Sequence, residues 1–183
     1  NRTAKMNTPV TTRLNFKLMN EHDWPLLHEL DQDPAVMKYI NRGTPSTLKQ
    51  IKEIGIPRML AYKNVNKGWG LWKITLKKED SFIGWVLVRP MHFFTQTPDF
   101  TNIEIGWRFK QSSWGQGYAT EAASALCNAL KIQPEIKTLS AMALADNKAS
   151  ISVMQKLGFT WVKNYIHTDE QGDLDAVLYA KAL

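Results

Sequence analysis

The segment with the most chemical promise in this sequence is Trp114-Gly115-Gln116-Gly117-Tyr118-Ala119-Thr120-Glu121, lying between an alternating stretch and a long helical one. The first turn of a helix leaves backbone N–H groups unpaired, and the macrodipole adds partial positive charge there. Glycine removes the Cβ atoms that hold an anion away from those donors. The turn therefore suits a phosphate, and equally it suits a tight strand-to-helix connection with no ligand. Two familiar phosphate motifs do not apply. A P-loop has Gly-Lys-Ser/Thr where this chain has Gly117-Tyr118-Ala119, and a dinucleotide fingerprint has a third glycine where position 120 is Thr.

Other reactive residue types are sparse. Cys127 is the only cysteine, which excludes an intrachain disulfide and a cysteine-based metal cluster. It sits mid-helix beside Leu126 and Leu130 and reads as a small core residue, not a nucleophile. The four histidines have no metal-ligand spacing, so no metal is expected.

The elements that must position the glycine turn follow from periodicity. Residues 11–18 alternate as a half-buried strand. Asn20 precedes acidic first-turn residues and a helix carrying Trp24, Leu27 and Leu30. Pro45 opens a helical stretch to about Asn64, which Pro57 divides into two shorter helices. Strands follow over 72–76 and 82–88, the second apolar on both faces as a central strand should be. Residues 90–101 read as a loop. Ile103, Ile105, Trp107 and Phe109 then alternate with Glu104, Gly106, Arg108 and Lys110, the cleanest strand pattern in the chain. Residues 116–131 form the clearest helix. A strand over 139–144 leads to a helix capped by Asp146 or Asn147 and closed by Gly158, with Phe159 packing back over it. Strands 160–167 and 175–181 end the chain around an acidic turn. The expected architecture is an α/β mixed sheet, mainly antiparallel, with helices on both faces, in a single domain over 1–183 behind a flexible segment over 1–10.

The chain carries 23 Lys+Arg against 17 Asp+Glu, a net charge of +6, but the basic residues are dispersed along its length. This reads as a solvated surface, not a nucleic-acid footprint. No apolar run is long enough to span a bilayer, and no signal-peptide pattern is present, so neither a membrane nor direct nucleic-acid partner is expected, and a cytoplasmic setting is the default.

Glu104-Ile105-Gly106-Trp107, followed by Trp114 to Ala122, resembles the cofactor-binding stretch of the GCN5-related N-acetyltransferase (GNAT) superfamily. Asn147-Lys148-Ala149-Ser150 with Lys156-Leu157-Gly158-Phe159 resembles the next helix of that superfamily, and the nearest subgroup is that of RimJ/RimL-like ribosomal-protein N-terminal acetyltransferases. The resemblance runs from about Thr12 to the end. It implies a GNAT-type fold and acetyl-CoA as cosubstrate, with direct transfer to a primary amine. The implied acceptor is an α-amino group of a protein or peptide, such as a ribosomal protein N-terminus. A small amine (amino acid, polyamine or antibiotic) is the alternative, and a non-catalytic acyl-CoA-binding module a further one. A monomer or a homodimer fits equally.

The resemblance also implies residue roles. Backbone N–H groups of Gly115, Gln116, Gly117, Tyr118, Ala119 and Thr120, flanked by Trp114, hold the pyrophosphate. The backbones of Trp107, Arg108 and Phe109 pair with the pantetheine arm. Asn147 hydrogen-bonds that arm, and Ser150, three residues on and on the same helix face, protonates the departing thiolate. Two positions depart from the family pattern: Ser112 stands where the motif has Arg or Gln, and Met154 where many members have a tyrosine acid. A thioether donates no proton. Glu104 is then the candidate general base, beside Arg108 on one strand face; the bland reading makes the two a solvated surface pair. Glu121 reads as a cap for its own helix, and His92, next to Phe93 and Phe94, as a candidate lining residue of the acceptor pocket.

Overall fold

A computed structural model describes residues 5–183. Seven strands form one sheet in the order β1-β2-β3-β4-β5-β7-β6: β1 (Leu14–Leu18), β2 (Gly70–Leu76), β3 (Ser81–Met91), β4 (Asp99–Phe109), β5 (Thr138–Leu144), β6 (Thr160–Asp169) and β7 (Gly172–Ala182). Every neighbouring pair is antiparallel except β4 and β5. Helices α1 (Trp24–Asp31), α2 (Pro34–Asn41), α3 (Leu48–Gln50) and α4 (Ile56–Tyr62) precede β2, while α5 (Tyr118–Leu130) and α6 (Lys148–Lys156) flank β5 in sequence.

The sheet separates two apolar clusters, and the alternation in β3 and β4 decides which side chain joins which. Ile83, Val86, Val88, Ile103, Ile105 and Phe109 pack with Ala122, Ala123, Leu126 and Leu130 of α5. Leu71 and Leu87, from the opposite pleat, pack with Leu27, Met59 and Tyr62 of the α1–α4 layer. β3 is thus covered on both faces, as its apolar run predicts. On β4, Glu104, Gly106 and Arg108 belong to the α1–α4 face.

The seam between β4 and β5 is short. Only Asn102↔Thr138, Ile103↔Leu139 and Glu104↔Ser140 pair, after which the strands diverge. β5 goes on pairing with β7 as far as Leu144↔Ala176, and β4 with β3 as far as Phe109↔Gly84. The sheet is split along one edge of β4 from Ile105 onward.

Several expectations from sequence change here. The loop assigned to 90–101 shrinks to 92–98, because β3 and β4 extend and Met91 pairs with Asp99 across an irregularity in register. The division expected at Pro57 takes the form of a π-helical turn at Ile51–Gly55, which carries the chain from α3 into α4: the Ile56 N–H donates back to the Ile51 carbonyl, and Pro57 stands in the first turn of α4. Helix α2 is additional: Asp33 accepts from the Ala35 N–H at 2.9 Å and Pro34 occupies the first turn, so Asp-Pro is its start signal. Gly158 at φ 84 ends α6 as expected, with the Phe159 N–H donating to the Met154 carbonyl at 3.0 Å. The segment expected to be flexible, 1–10, lies partly outside the described residues. Within it Met6 is 3% exposed, and its N–H donates to the Asn66 carbonyl.

Candidate active site

Where β4 and β5 part, a cavity of about 510 Å³ opens. Ile105 to Phe109 line one wall with their free strand edge, and Met142, Ala143 and Leu144 of β5 line the other. Gly115, Gly117 and the first turn of α5 form one end, and Asn147 and Ser150 of α6 lie along the side. Tyr39 and Ile40 of α2 close over it.

The glycine turn owes its composition to backbone conformation. Gly115 and Gly117 have φ of 75° and 79°, where a Cβ is strained. Gly117 is the N-cap of α5, and no side chain caps the helix, so its first-turn N–H groups face the cavity end without a partner from the N-cap. A Cβ on Gly115 meets nothing within 4 Å, whereas one on Gly117 comes 3.5 Å from Arg13 Nη2. Trp114 is 48% exposed, and its ring N–H donates to the Phe109 carbonyl at 2.9 Å, tying the turn to the end of β4.

Arg13, which sequence reasoning missed, braces this turn. Its Nη1 donates to the Gln116 carbonyl at 2.9 Å, its guanidinium lies 4.4 Å from the Tyr118 ring centre, and its Nε meets Glu121 Oε1 at 2.7 Å. Glu121 accordingly does not cap its own helix. It accepts from Thr11 Oγ1, the Arg13 N–H and the Arg13 guanidinium, joining the start of β1 to α5. Burial opposes its ionisation, but the bonds from Arg13 and Thr11 outweigh that and hold its carboxyl below the usual glutamate range.

Asn147 is the N-cap of α6, its Oδ1 accepting from the Ser150 N–H at 3.2 Å. That bond spends the oxygen and leaves the side-chain amide donors available toward the cavity. Met154 is 1% exposed in the core.

Glu104 and Arg108 share a strand face but do not pair with each other, nor are they solvated. Glu104 Oε1 accepts from Arg89 Nε and Nη2 at 3.3 and 3.0 Å. Arg108 Nη1 donates to Asp31 Oδ1 at 2.8 Å, and Asp31, 5% exposed, also accepts from Ser46 Oγ at 2.9 Å. The surface-pair reading is therefore overturned: each charge has its own half-buried or buried partner, because β3 and the α1–α4 layer cover this face. Arg89 faces Glu104 through the β3–β4 register.

Two tyrosines sit in the field of Glu104. Burial, against the pull of Arg89 and helped by Glu104, pushes the Tyr62 hydroxyl up to about 12. Burial and then Glu104 also raise Tyr165. Both stay protonated at neutral pH. His92 is exposed at φ 60°, and its neighbours Phe93 and Phe94 make the ring contacts with Tyr62. Cys127 packs against the α5 core, and burial pushes its thiol up to about 12, which removes it from nucleophilic chemistry at neutral pH. Among the described residues no cluster of His, Cys, Asp or Glu could hold a metal, and no helix is long and apolar enough to cross a membrane.

The comparisons with known proteins agree with this geometry. The family model of the acetyltransferase (GNAT) domain matches residues 13–160. The chain is 31% identical over 150 residues to the uncharacterized N-acetyltransferase YnaD of Bacillus subtilis (strain 168), covering 81% of this chain and 79% of that one. Among solved structures it is similar to RimL, a ribosomal L7/L12 alpha-N-protein acetyltransferase in complex with coenzyme A. There the TM-score is 0.76 at 18% identity, over 96% of this chain and 97% of RimL. It is similar also to the aminoglycoside acetyltransferase AAC(6')-Ib in complex with coenzyme A and kanamycin, with a TM-score of 0.72 at 21% identity, over 92% and 94% of the two chains.

Proposed function

The chain belongs to the GNAT acetyltransferase family and uses acetyl-coenzyme A, and from that premise we propose that it acetylates the α-amino group of a protein or peptide in a single ternary complex. The observation that carries this reading is the free edge of β4, open beside an uncapped helix N-terminus at one end and reaching Glu104 at the other.

Bound acetyl-coenzyme A supplies an activated acyl thioester. The N–H groups of Gly115 to Thr120 take its pyrophosphate, where the macrodipole of α5 adds to their pull. Trp107 and Phe109, whose backbone groups alternate with those that Arg108 and Lys110 turn toward β3, supply strand-like bonds to the pantetheine arm, and Asn147 adds its side-chain amide. One β4 N–H polarises the thioester carbonyl, a contribution of about 3 kcal/mol for a preorganised donor. Glu104 takes a proton from the acceptor ammonium, directly or through water, with Arg89 fixing its carboxylate. The freed amine attacks the acyl carbon, the C–S bond breaks, and Ser150 hands its proton to the leaving thiolate while taking the second proton from the acylated nitrogen. Cys127 is half-buried on α5 and is not among the residues lining the cavity, so the proposed transfer involves no acyl-enzyme.

Titration calorimetry with coenzyme A, followed by a thiol-release screen of peptides with varied N-termini against small amines, tests the proposal. Micromolar binding and turnover of peptides are expected. Turnover confined to small amines would overturn the peptide acceptor, and failure to bind coenzyme A would overturn the whole reading.

A further inference from the structure

On the Glu104 face of β4, side chains from three separated segments gather around Tyr62. The rings of Phe93 and Phe94 stand edge-on to Tyr62, each 6.0 Å away, and 5.1 Å from one another. Arg89, while holding Glu104, lies 5.1 Å from the Tyr62 ring centre. Arg58 of α4 stacks on Phe94 at 3.8 Å, and among the described residues it has no carboxylate partner. The Tyr62 residue is 5% exposed, yet its hydroxyl has no hydrogen-bond partner among the described residues. With the unpaired Arg58 guanidinium nearby, that hydroxyl is a second polar group open to a ligand.

We propose that this cluster is the acceptor subsite, selecting primary amines whose own molecule carries a carboxylate close to the amine. The inference rests on the acetyl-transfer reading above and narrows its substrate class. Arg58 and Arg89 against Glu104 leave one net positive charge in the cluster. An acceptor with an ammonium and a carboxylate satisfies both ends, ammonium to Glu104 and carboxylate to Arg58. A polycationic amine meets two guanidinium groups for one carboxylate. Stacking on Phe94 pre-orients the Arg58 fork for a planar anion, and the three rings offer a surface for an apolar or aromatic body. The carboxylate has two sources: that of a free amino acid, or an acidic side chain near a peptide N-terminus.

Thiol release from acetyl-coenzyme A, measured with matched acceptors, tests the proposal and separates those sources. One pair is phenylalanine against phenylalaninamide, the second a Ser-Asp-Glu against a Ser-Lys-Lys peptide, and kanamycin is the polycation. The carboxylate-bearing member of at least one pair is expected to show kcat/KM about tenfold higher or more, the scale of one charge-assisted hydrogen bond. Arg58→Gln should collapse that ratio toward one, and Arg58→Lys should retain part of it. Coenzyme A titration of each variant checks that it is folded. Faster turnover of kanamycin than of every carboxylate-bearing acceptor, no carboxylate preference in either pair, or a ratio indifferent to Arg58→Gln, overturns the subsite while leaving acetyl transfer standing. Coenzyme A binding with no amine acetylated overturns the transfer reading and the subsite with it.

Discussion

The free edge of β4 runs between two ends made of different material. At the Phe109 end the recognition groups are backbone N–H donors, set by two glycines at positive φ and braced by Arg13. At the Glu104 end they are side chains, an ion pair between β3 and β4 ringed by tyrosines and phenylalanines drawn from α4, the 92–98 loop and β6. A backbone site binds what every acetyl-coenzyme A molecule has in common. A side-chain site is free to vary with the acceptor, and the same framework then serves different amines.

Experiments that perturb one end and read the other probe this division most directly. The largest effect is expected from Glu104→Gln, which removes the proton acceptor but keeps the shape: kcat/KM should fall by roughly 10²- to 10⁴-fold. Calorimetric affinity for coenzyme A should stay within about twofold; a parallel loss would mean the two ends are not separable. Gly117→Val forces a branched side chain to φ 79° and against Arg13, a strain of about 1–3 kcal/mol. It should weaken coenzyme A binding at least tenfold in calorimetry and lower Tm, while a saturating cofactor concentration restores the acceptor preference.

Asp31→Ala leaves Arg108 without its partner beneath the α1–α4 layer, and a loss of about 3 kcal/mol is expected in denaturant unfolding. Ser150→Ala should reduce kcat about tenfold with little change in acceptor KM, and an unchanged rate would transfer the acid role to water. The smallest effect is on pH. Because Glu121 has its folded pKa below the ordinary glutamate value of 4.5, its contribution is present above that pH and is lost as pH falls through the depressed value. Arg13→Gln should flatten the acid limb of a Tm-against-pH curve.

The two ends also differ in how much of them the sequence reveals. Gly115, Gly117, Asn147 and Gly158 announce their roles locally, because positive φ, an uncapped helix start and a helix cap are properties of a few consecutive residues. Glu104 is visible as a polar residue on an alternating strand, but its partner is not. Arg89 reaches it only through the register of β3 on β4, and Tyr62 only because α4 packs across that face. Glu121 and Arg108 show the same limit. Local spacing suggested a helix cap and a neighbour four residues away, whereas their partners, Arg13 and Asp31, lie 108 and 77 positions distant. The helix α2 was missed because Asp33-Pro34, a start signal, reads just as well as a turn.

The three-pair seam between β4 and β5 has a consequence for mechanics and exchange. Seven strands here amount to two ribbons, one of four and one of three, stitched by fewer rungs than any other junction in the sheet. Outward-pointing amides of 105–109 have no ladder to shield them and should exchange with deuterated solvent far faster than their neighbours facing β3. A pantetheine chain lying in the gap would act as the absent rungs, so loading the cosubstrate should slow exchange along that one edge and stiffen the two ribbons into a single plate.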